Sequence, residues 1–122
     1  MEHDSHVAVE SRIQTGVTYV LAKMSFGRRV ELVKRIRELA QRFEFLRAGN
    51  DPSEQIQGAL LSAEIEQTYL AWGVKEIRGL TVDGRPATPE SLIEAGPEEL
   101  FHEAVSAVRA ECGLTEAERK NS

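Results

Sequence analysis

SFGRRVELVKRIRELAQRFEFLRAG, residues 25–49, is the stretch on which the fold turns. Leu32, Ile36, Leu39, Phe43 and Leu46 recur at spacings of four, three, four and three, the period of one buried face of an α-helix, and Val30, Val33 and Ala40 lie beside that row and widen it. Ser25 is placed to cap the helix and Gly49 to end it. On the outside, Arg28, Arg29, Lys34, Arg35, Arg37, Arg42 and Arg47 outnumber Glu31, Glu38 and Glu44. Arg28 and Arg29 stand in the first turn, where the helix dipole disfavours cations by about a few tenths of a kcal/mol each. Such a placement predicts that they meet something negative, or else point into solvent.

A helix with that apolar face needs a covering partner, and the chain supplies one at once. Asp51 reads as an N-cap, Pro52 as the first helical residue and Glu54 as the residue that completes an Asp-x-x-Glu box. Ile56, Leu60, Ala63 and Leu70 share a face, extended by Ala59, Leu61, Ile65, Tyr69 and Trp72, before Gly73 stops the run. So short a connection predicts an antiparallel αα-hairpin, with Ala59 and Ala63 allowing close approach.

Residues 12–24 are β-rich, with Val17, Tyr19 and Leu21 alternating against Thr18, Val20 and Ala22. Apolar residues on both faces of its second half predict a strand covered on both sides there, or one whose edge the long helix shields, with Gly16 as a bend or bulge. A second β-rich stretch, VKEIRGLTVDGRPATPE, slips phase at Gly79 and turns at Asp83-Gly84, so a hairpin stub is expected there, with Leu80–Val82 available to pair with the first strand. Two short helices should follow, opened by Thr88-Pro89-Glu90 and Gly96-Pro97-Glu98-Glu99. The second carries Leu100, Phe101, Ala104, Val105, Val108 and Cys112 as its buried stripe. The expected fold is mainly α with a small β element (α+β): a long antiparallel αα-hairpin, a short sheet and C-terminal helices. The expected organisation is a flexible tail over 1–11, one globular domain over 12–115 and a frayed end over 116–122.

The 122 residues carry a net charge of −5, which disfavours a general nucleic-acid binder, although the basic helix could still serve locally. Between Pro86 and Glu118 the acids outnumber Arg109 eight to one, so the last third either neutralises the basic helix within the monomer or, with it, steers a partner. A single cysteine, Cys112, permits no internal disulfide and suits a reducing compartment. Neither a secretion signal nor an apolar run of about 18 residues is visible, and a cytoplasmic protein is expected.

Catalytic apparatus is not evident. His3 and His6 lie in the terminal stretch without a third histidine nearby, and no metal site or cofactor is expected. His102 and Cys112 are ten residues apart on one expected helix, about 15 Å of rise, and cannot meet. Glu64 and Glu66 point to different faces, and Glu98 and Glu99 are adjacent N-terminal charges. Phosphate loops, dinucleotide fingerprints and CxxC or HExxH motifs are lacking. Phe26, Phe43, Tyr69, Trp72 and Phe101 read as core, while Phe45, at the edge of the stripe, reads as an exposed anchor.

The runs MSFGRRVELVKRIRELAQRFEFL (24–46), YLAWGV (69–74), IRGLTVDGRPATPESL (77–92) and GPEELFHEAVSAVRAECGLTEAERKN (96–121) resemble small proteins of tailed-phage and prophage tail operons read as tail assembly chaperones. The resemblance implies a non-enzymatic cytoplasmic protein that binds the tape-measure protein, keeps its apolar helices soluble and helps recruit tail-tube subunits. It also implies a short product of a gene that can be extended by frameshifting. Partner contact is expected at Arg28, Arg29, Arg35, Arg42 and Phe45, with a second copy of the chain as another candidate partner. The competing expectation is a small nucleic-acid-binding or regulatory helical protein using the basic helix from Arg28 to Arg47. Because Phe43 lies on the main stripe, Phe43→Asp should bury a charge and unfold the domain; a thermal melt indistinguishable from the parent would show the stripe to be misplaced.

Overall fold

The computed structural model describes residues 5–47 and 51–112; within the first long helix the side chains of Phe43, Phe45, Leu46 and Arg47 lie outside that description. The elements run β1 (His6–Glu10), β2 (Thr18–Ala22), α1 (Phe26–Arg47), α2 (Pro52–Gly73), β3 (Val74–Arg78), β4 (Thr81–Val82), β5 (Arg85–Pro86), α3 (Pro89–Ala95) and α4 (Glu98–Glu111). The protein is mainly helical with a small antiparallel sheet, as the periodicities require.

Ser25 caps α1 through its hydroxyl, which accepts from the Arg28 N–H at 3.2 Å, and Asp51 caps α2 by accepting from the Ser53 N–H at 2.9 Å. The two helices, each about 33 Å long at 1.5 Å per residue, form the antiparallel hairpin: Arg28 meets Trp72 and Arg35 meets Glu64. Leu32 and Leu39 are fully buried on the α1 side, with Ile36 half-buried between them. On α2 the buried positions are Gly58, Leu61, Tyr69, Leu70 and Gly73. Ile56 and Leu60, expected in the buried face, are 64% and 66% exposed, and Ala59 and Ala63 also face out. Leu60 borders a shallow groove with Arg42 of α1 instead of entering the buried face. Among the described residues, the groove that α3 and α4 form with α2 is lined from Ala63 onward and does not include Ile56, Ala59 or Leu60.

The three-stranded sheet has the order β1-β2-β3, both pairs antiparallel. As the central strand, β2 has Tyr19, Val20, Leu21 and Ala22 all buried, matching the expectation of cover on both faces. Its outer neighbour is a correction: the segment expected to be a flexible tail supplies β1, with Val7 and Val9 packed on the core and His6, Ala8 and Glu10 facing out. Two alternating valines are too short a pattern to announce a strand before its partner is known. The other neighbour of β2 is β3 rather than Leu80–Val82, because α2 runs into β3 without a loop and so delivers that strand beside it.

The bulge also sits elsewhere than expected. Val20 is opposite Glu76 and Leu21 opposite Val74, which leaves Lys75 as the extra residue. In a regular strand Val74 and Ile77, three apart, would face opposite sides; the bulge lets both be buried. Gly79 instead holds a turn at φ +79°, so close to the Gly16 carbonyl that a β-carbon would collide with its oxygen. β4 and β5 form the expected stub around Asp83-Gly84, whose positive φ values of 53° and 78° suit a tight hairpin turn. Thr88 and Ser91 make a reciprocal capping box on α3, and α4 buries Leu100, Ala104, Val105 and Val108, followed by Cys112.

At the end of α2 the α4 helix crosses so closely that a β-carbon on Gly73 would overlap the Val108 side chain. Gly73→Ala is therefore expected to destabilise by about 1–3 kcal/mol through overpacking. In a Val108→Ala background the same change should become neutral or stabilising, since alanine is the better helix former. Urea unfolding of the four chains in this double-mutant cycle measures it, and additive effects would refute the contact.

Candidate partner-binding surface

The structure separates the cations that sequence grouped together. The Arg28 guanidinium donates to the Trp72 carbonyl at 3.0 Å and lies 4.7 Å over the Trp72 ring. Arg29 donates to the Cys112 carbonyl at 3.5 Å. Both receiving carbonyls belong to helix ends, the last turn of α2 and the residue after α4, where unpaired C=O groups carry the negative end of the dipole. Something negative does meet these arginines, and among the described residues it is backbone.

Arg35 lies 3.8 Å from Glu38 and 3.6 Å from Glu64, so it ties α1 to α2. Arg42 lines a shallow groove with Gln57, Leu60, Leu61 and Glu64 near the distal part of the hairpin. The Phe45 side chain lies outside the described residues. Arg28, Arg29, Arg35 and Arg42 therefore do not form one continuous patch: Arg28, Arg35 and Arg42 engage the α2 side, and Arg29 reaches the end of α4.

Another surface was missed. Along the flank of α1 a groove of about 290 Å³ is lined by Arg29, Val30, Val33, Lys34 and Arg37. Val30 and Val33 are only half-buried, and one turn before Val30 the Phe26 ring is 79% exposed, contrary to its expected place in the core. Phe26, Val30, Val33 and Arg37, at intervals of four, three and four, share one side of the helix. That spacing was legible; what hid it was the assignment of both valines to the inward stripe. Lys34 lies 3.7 Å from Glu31, while among the described residues no ion pair joins Arg29 or Arg37 to an acid.

The acidic last third does not close over this flank within the described residues. The acid-bearing helices α3 and α4 pack against α2 and the strands. Glu98 lies 3.4 Å from His102, which lies 3.2 Å from Glu66 on α2.

A carboxylate, a phenol and a hydroxyl converge at Glu103, and their bonding is that of a clasp. Glu103 Oε1 accepts from Ser11 Oγ at 2.5 Å and from the Tyr19 hydroxyl at 2.7 Å, while Oε2 accepts from the Arg12 N–H at 2.8 Å. Ser11 Oγ also accepts from the N–H groups of Ile13 and Gln14, shaping the loop between β1 and β2. The node fixes that loop to α4. Burial alone would raise the Glu103 carboxyl, but the donors from Ser11, Tyr19 and the Arg12 and Ile13 backbone outweigh it and hold it below the ordinary carboxylate value. Tyr19 is pushed above the ordinary phenol value by burial first and then by its bond to Glu103. Cys112 is buried, and that burial with neighbouring Glu111 raises its thiol despite Arg29, which disfavours a reactive thiolate.

Among the described residues, no three or more histidine, cysteine or acidic side chains are grouped to hold a metal ion, and no helix is long and apolar enough to cross a membrane. Comparison with known protein families, curated proteins and solved structures gives no match.

Since the folded-state value of Glu103 is depressed, its clasp adds stability that is fully present above the ordinary glutamate value of about 4.3 and is lost as pH falls through the lower folded value. Glu103→Gln should therefore flatten the acid limb of a plot of melting temperature against pH, lowering Tm at pH 7 more than at pH 3. Equal losses at both pH values would remove the ionised carboxylate from the account.

Proposed function

We propose that this protein is a non-enzymatic interaction protein of the tail-assembly-chaperone kind, which binds a helical client in the cytoplasm and keeps that client's apolar surface soluble. The observation that carries this reading is the flank of α1. There an exposed Phe26 and two half-buried valines are bordered by Arg29, Lys34 and Arg37, and no ion pair with the acidic α3 and α4 spends that charge among the described residues. An apolar strip along a rigid helix with a charged rim suits helix-in-groove recognition. The resemblance of residues 24–121 to tail assembly chaperones supplies the client class, the long tape-measure protein, with tail-tube subunits as further partners.

The competing reading, a nucleic-acid-binding helix using Arg28, Arg29, Arg35 and Arg42, is less well supported. Phosphate binding draws on cations gathered along one track, and here Arg28 and Arg35 are turned toward α2.

Co-expression with a tape-measure protein as the client tests the proposal. The soluble fraction of that client should rise severalfold over expression alone, and the two chains should co-purify. A client no more soluble in the presence of this protein would defeat the chaperone reading.

A further inference from the structure

We infer that the α1 flank is the seat of an acid-flanked amphipathic helix, whose aliphatic side chains lie on Val30 and Val33 while its carboxylates meet Arg29, Lys34 and Arg37. This rests on the helical-client reading and adds to it the seat and the chemistry of the occupant.

Three features select that occupant. The floor is apolar and linear: Phe26, Val30 and Val33 run along one side of α1, so the complement is a ridge of aliphatic side chains spaced by helical turns, with axes 8–10 Å apart. The rim has one sign among the described residues, whose five lining members include three cations and no acid. The first turn of α1 has no acidic residue, and the positive end of its dipole adds to the field at Phe26 and Arg29. A basic or neutral helix would leave that field unanswered, and a phosphate backbone would leave the valine floor wet. Carboxylates flanking leucines satisfy both. Arg29 can turn outward at little cost, because its hydrogen bond to Cys112, at 3.5 Å, is long. Glu31, beside Lys34 on the same helix, tempers that cation and leaves Arg37 as the chief charge determinant.

The full-length chain can be titrated against a fluorescein-labelled helical peptide bearing leucine at i, i+3, i+4 and i+7 with glutamate on both flanks. A comparator peptide has lysine at the flanking positions, and a fluorescein-labelled 24-base-pair DNA duplex is the third probe. Fluorescence anisotropy at low salt should show the glutamate peptide binding about tenfold or more tighter than the lysine peptide, as expected where steering charges select the partner. Arg37→Glu should weaken the glutamate peptide about tenfold and favour the lysine peptide, while Val33→Ser should weaken both peptides, with thermal melting of each variant unchanged. Peptides bound equally, variants without effect, or duplex DNA preferred over both peptides would each overturn the seat.

Two other occupants are distinguished by the same material. Sedimentation showing a dimer that Arg37→Glu dissociates would assign the flank to a second copy. Binding of the glutamate peptide only after Glu116→Lys and Glu118→Lys would assign it to this chain's own C-terminal segment. Either result defeats the proposal. Client solubilisation that survives failed peptide binding would leave the chaperone reading standing without this seat; the reverse outcome would leave the seat and remove the chaperone role.

Discussion

At Gly73 the last turn of α2 lies against Val108 of α4 with no room for a side chain, and much of the molecule's arrangement depends on that crossing. One residue later the chain is already strand β3, which pairs with β2. α2 therefore touches each layer: α1 along one side, α3 and α4 along another, and the sheet at its end. The core follows from this junction, with Tyr69, Leu70, Val74 and Ile77 on its own chain meeting Tyr19, Leu21, Val105 and Val108. A fold with so much passing through one helix end has little tolerance there for added volume.

The same junction accounts for the local rule broken at the start of α1. Antiparallel packing places that start beside the C-terminal end of α2, and α4 ends nearby. Arg28 and Arg29 therefore bind carbonyls at two helix termini, which offsets their unfavourable position in their own helix. With Arg35 committed to Glu64, much of the basic helix is employed in holding the hairpin and its neighbours. Among the described residues, Val30 and Val33 with Lys34 and Arg37 line the remaining flank.

The Glu103 node shows how polar groups serve the architecture without chemistry. Its two oxygens are taken by a serine, a tyrosine and a backbone N–H from the sheet side, across a sequence separation of more than 80 residues. The loop between β1 and β2 gains a fixed position from these bonds, which turns a short edge strand into a defined layer. Burial first and then the bond to Glu103 raise the phenol, while the donors from Ser11, Tyr19 and the Arg12 and Ile13 backbone outweigh burial and hold the carboxyl down.

Read alone, the sequence determined the helices, their order and the starts of three of them, because the period of apolar residues and the chemistry of Ser25, Asp51, Thr88 and the Asp83-Gly84 turn act over one or two turns of chain. It also pointed to apolar cover over the second half of β2, where Tyr19, Val20, Leu21 and Ala22 are buried. Tertiary structure decided what depends on distant neighbours. It recruited His6–Glu10 as a strand, chose β3 rather than β4 as the partner of β2, left Ile56, Leu60 and Phe26 in solvent, and divided the arginines between helix-end carbonyls, Glu64 and an open flank. The reason is geometric. A helical pattern says which residues share a side, but which side is covered depends on how far the neighbouring elements reach, and α3 and α4 are shorter than the hairpin they pack on.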